Sequence, residues 1–439
     1  MRFFSSLLSL LSWRVVAAAV TVTERLLLAA MLGPSRLGTF GIASSTIAIL
    51  SRWLSFGATP AAQYAGGRQT GSAPPARAVL LYGALVALAA LVICWVATPL
   101  IGGLIFGDKS EALEIFVFFR PWLPVLIVGM TLSLFLLGQG RIRIYGALQV
   151  LPELGFLAVL VAFWLLGRDL EGALWGQVTA WAVLGVVALA ANRSTLAGGR
   201  LSRRSFAEVS SYGVRAWPLV FLQFGIARVA LLVGARFVEA EALGYYVLAS
   251  GLADALTLFP GLVAQLVFNA AGRPGPGVRE LAFRVIRLST VALVLGATAV
   301  ALVGKPLFVL AFGQPYAPAW LVLVVLLGTT VCRGTFALLI AVLSGRGRPG
   351  LSNVAQMVEL TTLLVLVPIG AVRFGVVGMA GAAVVASVAG LVTAAFLVGR
   401  LEGARVTEVL LVRSEDWSVL RRRLGELVRR PTLEARNAD

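Results

Sequence analysis

The stretch LGTFGIAS at residues 37–44 recurs as LGYYVLAS at residues 243–250, about 206 residues further along the chain. The same period relates LIFG at residues 104–107 to LAFG at residues 310–313. A repeat of this length, present in both halves of the chain, indicates two tandem structural units with the same order of elements.

Around these motifs the sequence is too apolar for a water-soluble globule. Of the 439 residues, 59% are hydrophobic and 13% are charged, and the mean hydropathy is +0.93. Since a bilayer crossing needs roughly 20 apolar residues, we predict an all-α polytopic membrane protein with about 12 transmembrane helices. They are expected at roughly residues 12–33, 37–63, 78–106, 113–137, 144–166, 171–191, 214–236, 241–270, 282–312, 317–343, 350–372 and 375–399.

An even number of helices in each repeat means that both halves enter the membrane in the same direction. We therefore expect two six-helix lobes related by a pseudo-two-fold axis along the membrane normal, with a central cavity between them. The predicted organisation is an N-lobe at residues 1–200, a C-lobe at residues 201–400 and a cytoplasmic tail at residues 401–439.

The net charge of +17 is explained by topology. Arginines concentrate in alternate short loops, which places these loops and both termini in the cytoplasm. The loop arginines are Arg68, Arg77, Arg141, Arg143, Arg193, Arg200, Arg203, Arg204, Arg273, Arg279, Arg346 and Arg348. Because the charge lies in turns rather than on one wettable surface, nucleic acid is not an expected partner.

The tail is expected to interact with membrane lipids. Trp417, Leu420 and Leu424 share one helical face, opposite the arginines at residues 421–423. This pattern is typical of a helix lying along an anionic leaflet, and a merely solvated basic tail is the alternative.

Cofactors are not expected, because the sequence offers little to hold them. It contains no histidine, and its two cysteines, Cys94 and Cys332, fall inside apolar helices. We therefore predict neither a metal site nor a disulfide.

Charged residues inside the predicted helices are the candidate functional residues, since each costs roughly 2.5–3.5 kcal/mol at a helix centre. The candidate substrate-binding residues are Arg25, Arg52, Arg120, Arg228 and Arg333, and the candidate coupling or charge-pairing residues are Glu24, Glu153, Asp254 and Glu359. Guanidinium groups facing a cavity suit a phosphate or diphosphate, and embedded carboxylates can carry a proton or sodium. The alternative for any of them is an ion pair that only fastens helices.

Three regions resemble the Wzx-type polysaccharide-biosynthesis flippases of the multidrug/oligosaccharidyl-lipid/polysaccharide (MOP) exporter superfamily. The first is RLLLAAMLGP at residues 25–34 followed by LGTF at 37–40. The second is LFVLAFG at 307–313 with YAPA at 316–319, and the third is LVP at 366–368 with the Gly/Ala-rich residues 375–383. The order and spacing of these segments cover nearly the whole chain.

The resemblance implies a MATE-like two-lobed transporter in the bacterial inner membrane. It would move an undecaprenyl-diphosphate-linked oligosaccharide from the cytoplasmic to the periplasmic leaflet through an arginine-lined cavity, with polysaccharide polymerase machinery as a further partner. Arg25 is the best match to the basic position of the family's first helix. The chain ends after twelve predicted helices, which favours an O-antigen, capsule or exopolysaccharide unit over the peptidoglycan precursor.

Two rival functions remain open. A cation-coupled multidrug antiporter of the same fold would need acidic and aromatic groups in its cavity to hold cationic substrates, and the excess of buried arginine argues against it. A membrane glycosyltransferase or polymerase would need an acidic motif on a loop or a large extramembrane loop, which the short predicted loops do not provide.

Overall fold

A computed structural model places most of the chain. It describes residues 2–67, 75–198, 201–257, 260, 261, 263, 264, 267, 277–346, 348–413 and 416. Within these ranges the secondary structure is helical and contains no strand. The prediction of an all-α polytopic membrane protein is confirmed.

The described part of the N-lobe contains nine α-helices. They are α1 (Arg2–Trp53), α2 (Ala58–Gly67), α3 (Ala76–Val96), α4 (Thr98–Ile101), α5 (Ser110–Phe119), α6 (Leu123–Gly138), α7 (Ile142–Ala147), α8 (Leu151–Leu165) and α9 (Asp169–Gly198). The described part of the C-lobe and tail contributes α10 (Arg203–Gly234), α11 (Ala240–Leu256), α12 (Val278–Phe312), α13 (Ala319–Gly345), α14 (Pro349–Glu402) and α15 (Val406–Leu410).

Two of these helices each hold two of the predicted crossings. Helix α1 has 52 residues and α14 has 54, which at 1.5 Å per residue is roughly 80 Å, well over twice the hydrocarbon core. Each turns back at one glycine with positive φ, Gly33 (67°) and Gly375 (59°), a conformation that costs glycine little. By length and composition, eight helices of the described chain could cross a membrane, or nine with the bent α10. The second halves of α1 and α14 and the 17-residue α11 lie at three further predicted crossings, and the total of twelve stays a prediction.

Several predicted helices are interrupted where the sequence contains proline or glycine. The predicted helix at 37–63 is broken between α1 and α2, where Gly57 has φ 73°. The helix predicted at 78–106 ends in a π-turn, Gly102–Phe106, and the one at 113–137 passes through a 3-10 turn at Arg120–Trp122. Prolines remove an intrahelical donor at such breaks. The predicted span 241–270 is described as helix α11 only to Leu256, and much of the remainder lies outside the described residues.

The sequence repeat is also a structural repeat. Gly107 and Gly313, which end the repeated LIFG and LAFG motifs, both have positive φ (59° and 80°). One period apart, the backbone N–H of Arg141 donates to the Leu136 carbonyl (3.0 Å), and that of Arg348 donates to the Leu343 carbonyl (2.9 Å). Corresponding helices therefore end at equivalent positions of the repeat in both lobes.

The lobes meet at the end opposite the arginine-rich loops through a reciprocal glycine contact. A methyl group on Gly38 would overlap the carbonyl oxygen of Ala240, and one on Gly244 would overlap that of Pro34. Gly38 and Gly244 are equivalent positions of the repeat, so the contact follows the pseudo-two-fold axis. The Tyr316 hydroxyl adds a hydrogen bond to the Ala29 carbonyl across the lobes (3.0 Å).

A second contact closes the interface nearer the arginine-rich loops. The Trp217 indole N–H donates to the Trp53 carbonyl (2.6 Å), and the Trp53 indole N–H donates to the Phe221 carbonyl (3.0 Å). At Gly57, a side chain would overlap the carbonyl oxygen of Gly213. Because α1 and α2 touch α10 and α11 at both ends, a cavity is left between the two contacts.

The segment after α14 packs against the C-lobe. Val409 of α15 is fully buried beside Phe283 and Val398. Asp416 accepts hydrogen bonds from the buried Arg287 at 2.7 and 2.9 Å. The start of the tail thus belongs to the fold, whereas the predicted amphipathic face around Trp417 lies outside the described residues.

Candidate functional site

The cavity between the lobes is lined by arginine and serine. Its volume is about 240 Å³, and Arg25, Arg52 and Arg228 all border it. Arg25 and Arg52 come from the two halves of α1, on either side of the Gly33 turn, and Arg228 comes from α10. The hydroxyl groups that complete the lining belong to Ser44, Ser45, Ser51 and Ser250. Three of the five predicted substrate-binding arginines are therefore brought to one space.

Positive charge dominates this cavity. Among the described residues that line it there is no carboxylate. The Arg25 side chain packs against Gly251 of α11, where a methyl group would lie 3.2 Å from its Nε atom. The Arg52 guanidinium lies 4.4 Å from the centroid of the Phe224 ring, within cation–π range. Arg25 and Arg52 thus pack against backbone and aromatic neighbours, and Arg25 also interacts electrostatically with Asp254, Glu24 and Glu153, none of which lines this cavity. Among the described residues neither Arg25 nor Arg52 has an ion pair at contact distance, which leaves N–H donors for an anion.

A second cavity, inside the N-lobe, adjoins the first and shares lining residues with it. Its volume is about 270 Å³, and its polar lining groups are Arg52, Ser133, Tyr145, Gln149, Glu153 and Gln177. Both cavities are bordered by Arg52, Leu126, Met130, Gln177 and Trp181. Apart from Arg52 and Glu153, the groups around this N-lobe cavity are neutral.

Glu24 and Glu153 form a carboxyl pair beside the N-lobe cavity. Their carboxyl groups lie close enough to interact electrostatically with each other and with Arg25. Glu24 is buried, and its Oε1 atom has no hydrogen-bond partner among the described residues. Two carboxyl groups this close repel each other when both are charged, which makes the pair a candidate site for one shared proton.

The equivalent region of the C-lobe is filled by an ion pair. Arg333 donates from Nε to Glu359 (3.1 Å) and from Nη2 to the Ile226 carbonyl (2.8 Å). The Ser387 hydroxyl donates to the same carboxylate oxygen of Glu359 (3.0 Å). The adjoining pocket, which Arg228 and Asp254 also line, measures only about 40 Å³.

Arg120 lies apart from the other candidates. Its guanidinium stacks 3.8 Å from the Trp95 ring centroid and donates to the Thr98 hydroxyl (2.8 Å). Since it borders neither the interlobe cavity nor the N-lobe cavity, its placement gives no support to a role in substrate binding.

Several lining residues were not singled out from the sequence. Trp181 and Gln177 of α9 were missed because an aromatic residue and an amide in an apolar helix are ordinary features. The available signal was the spacing of four residues, which places both on one helical face. The serines of α1 gave a comparable signal, as Ser44, Ser45 and Ser51 lie close together in its second half.

These features define a two-lobed helical membrane fold with a charged cavity at the lobe interface. Solved structures of this class are MOP superfamily transporters, and the chain has their fold. The lipid II flippase MurJ in an inward closed conformation gives a TM-score of 0.74 at 12% sequence identity, covering 93% of this chain and 89% of that one. A MATE family multidrug-resistance transporter in an inward-facing conformation gives 0.67 at 16% identity, covering 90% and 96%.

A third similar structure is a MOP superfamily transporter from Pyrococcus furiosus, described as having a binding pocket of reverse polarity that suggests a different function. Its TM-score is 0.58 at 16% identity, covering 90% of this chain and 95% of that one. No protein-family model and no curated protein matches the sequence. The comparisons therefore establish the fold, a multi-pass helical membrane fold shared with these transporters.

Proposed function

We propose that the chain is an alternating-access flippase that moves an undecaprenyl-diphosphate-linked oligosaccharide across the bacterial inner membrane. The cargo is an O-antigen, capsule or exopolysaccharide unit, carried from the cytoplasmic to the periplasmic leaflet. The observation that carries this proposal is the group of Arg25, Arg52 and Arg228 around the interlobe cavity. Guanidinium forks match the oxygens of a diphosphate and keep their charge at any physiological pH.

The polarity of the cavity argues against a cation-coupled multidrug antiporter. A cationic substrate would meet like charges in a space of low dielectric constant, where repulsion is strong. The described lining of the interlobe cavity offers no carboxylate to offset that repulsion. A peptidoglycan precursor also carries a diphosphate, so it is the second candidate cargo, favoured by the structural similarity to a lipid II flippase.

The Glu24–Glu153 pair supports coupling to protons rather than to sodium. A shared proton between two carboxyl groups can be gained or lost as the lobes move, and nearby Arg25 connects the pair to the anion site. Glu153→Gln fixes the neutral form, so transport by this variant should no longer respond to a pH gradient. Glu171→Gln on the exposed start of α9 is the matched control and should keep the response.

Export in cells tests the proposed cargo site. Arg25→Ala and Arg228→Ala should each block export of the lipid-linked saccharide and abolish surface polysaccharide while the protein remains in the membrane. Arg168→Ala, at an exposed pair with Glu171, should export normally. Normal surface polysaccharide in both cavity variants would contradict the proposal, and resistance to cationic dyes conferred by the wild-type chain would favour the antiporter.

A further inference from the structure

We propose that the N-lobe cavity is a sugar-binding site, which receives the saccharide while the diphosphate lies on the arginines of the interlobe cavity. This inference rests on the proposed function. It adds the residues that would recognise the sugar, namely Gln149, Gln177 and Trp181.

The position of the N-lobe cavity follows the covalent order of the cargo. In a lipid diphosphate saccharide the first sugar is bonded directly to the diphosphate, so its site must open onto the phosphate site. The two cavities meet at Arg52, Gln177 and Trp181. At about 240 and 270 Å³ each is small alone, and together they fall within the roughly 300–1,000 Å³ of typical ligand sites.

The lining of the N-lobe cavity suits a neutral, hydroxyl-rich group. Amides both donate and accept hydrogen bonds, as sugar hydroxyls do. Among the described residues no hydrogen bond reaches the side-chain amide of Gln149 or Gln177, and both amides border the cavity. The Ser133 hydroxyl donates to the Met130 carbonyl (2.9 Å), which leaves its oxygen as a further acceptor.

Trp181 supplies a fixed aromatic surface. Its ring packs edge-to-face on Phe119, with centroids 5.2 Å apart and an interplanar angle of 64°. Such a contact holds the indole in one orientation. The C–H face of a pyranose ring is apolar and packs on aromatic rings, so the sugar can stack on Trp181. The side-chain amides of Gln149 and Gln177 can then hydrogen-bond to its hydroxyl groups.

The C-lobe pocket beside Arg333 is much smaller than the N-lobe cavity. Its volume is about 40 Å³, against about 270 Å³ in the N-lobe. Arg333 is also occupied there by Glu359 and the Ile226 carbonyl. The sugar is therefore assigned to the N-lobe.

Binding to the purified full-length protein tests this site. The probes are undecaprenyl diphosphate, the same lipid bearing one hexose, and the same lipid bearing one N-acetylhexosamine. The wild type should bind at least one glycosylated lipid more tightly than the bare diphosphate. Gln149→Leu and Gln177→Leu should each weaken binding of that glycosylated lipid roughly 2- to 10-fold, as expected for one hydrogen bond. Gln149→Leu should leave binding of the bare lipid unaffected, because Gln149 borders only the N-lobe cavity. Gln177→Leu, which also borders the interlobe cavity, should weaken the glycosylated lipid more than the bare one.

Controls separate the sugar site from the proposed function. Trp181→Leu should also remove the preference for sugar, whereas Gln314→Leu, in an exposed turn outside both cavities, should retain it. Arg25→Ala should weaken all three probes. No preference for either glycosylated lipid, or equal losses for all three probes in the glutamine variants, would overturn the sugar site alone. No binding of the bare diphosphate, or no effect of Arg25→Ala, would overturn the proposed function itself.

Discussion

Arg228 and Arg333 border the same small C-lobe pocket but have different partners. Arg333 has a carboxylate at ion-pair distance, Glu359 at 3.1 Å, and Glu359 is only 2% exposed. No such contact joins Arg228 to a carboxylate within the described ranges, and its guanidinium also borders the interlobe cavity. An arginine that holds helices together is therefore distinguished from one that can bind an anion by its ion-pair partners and not by its depth in the membrane.

The ion pair of the C-lobe predicts a stability effect. Arg333→Met leaves Glu359 buried without its counter-charge. This loss costs about 3–5 kcal/mol for a fully buried pair and less here, because the Arg333 side chain is 25% exposed. We expect a clear loss of thermal stability in detergent. The double variant Arg333→Met/Glu359→Leu should regain most of it, because no buried charge is left unpaired. Equal unfolding temperatures of the wild type and Arg333→Met would contradict this role.

Asp416 predicts a second effect, outside the membrane. Burial alone would raise the pKa of this carboxyl, but hydrogen bonds from Arg287, the Arg413 backbone and Arg284 lower it from 3.8 to about 2. The carboxylate therefore stabilises the fold by roughly 2 kcal/mol above pH 4, and this contribution is lost as the pH falls through 2. Asp416→Asn should lower the unfolding temperature at pH 7, with a smaller difference from the wild type at pH 2. A constant difference over that pH range would contradict the assignment.

At this scale the sequence predicted which residues are charged and embedded, but not what they contact. Glu153 and Glu359 occupy related positions of the repeat, yet one pairs with Glu24 and the other with Arg333. Each partner comes from another helix, so it depends on helix rotation, which local periodicity does not fix. The prediction that Arg120 binds substrate lacks support for the same reason: its side chain points toward Trp95, and the sequence does not fix that direction.

At the scale of the helices, the positions of the breaks were harder to predict than the positions of the helices. The sequence predicted most helix positions, because apolar runs bounded by turn residues are a strong signal. It did not predict the interruption at residues 54–57, where Phe56 also has positive φ (44°). That break lies beside the Trp53–Trp217 contact, and Gly57 within it packs closely on Gly213 of the opposite lobe. Local sequence does not reveal this contact.

The reciprocal glycines predict how the lobes separate. Gly38→Ala and Gly244→Ala each place a methyl group on a carbonyl oxygen of the other lobe, so either should open that end of the interface. Labelling of Ser44→Cys in a cysteine-free background, with a reagent applied from that side, should become faster in both variants. Gly381→Ala, with open space at its Cβ position, is the control. Unchanged labelling in both interface variants would contradict the role of this contact.

For the whole molecule, the two lobes share a backbone plan and differ in their interiors. Glycines with positive φ end equivalent helices in both lobes, while a cavity of about 270 Å³ lies in the N-lobe and an ion pair fills the C-lobe region. The repeat in the sequence predicted the shared plan. The different interiors could not be predicted, because cavity volume depends on how side chains from several helices pack together.

The central claim is that the interlobe cavity selects a lipid diphosphate by its positive charge. Its most direct test is translocation in proteoliposomes, comparing an undecaprenyl-diphosphate-linked oligosaccharide with a cationic dye. We predict that the wild type moves the diphosphate-linked saccharide and not the dye, and that Arg25→Ala/Arg228→Ala abolishes the movement. Transport of the dye by the wild type, or undiminished movement of the saccharide by the double variant, would contradict the account.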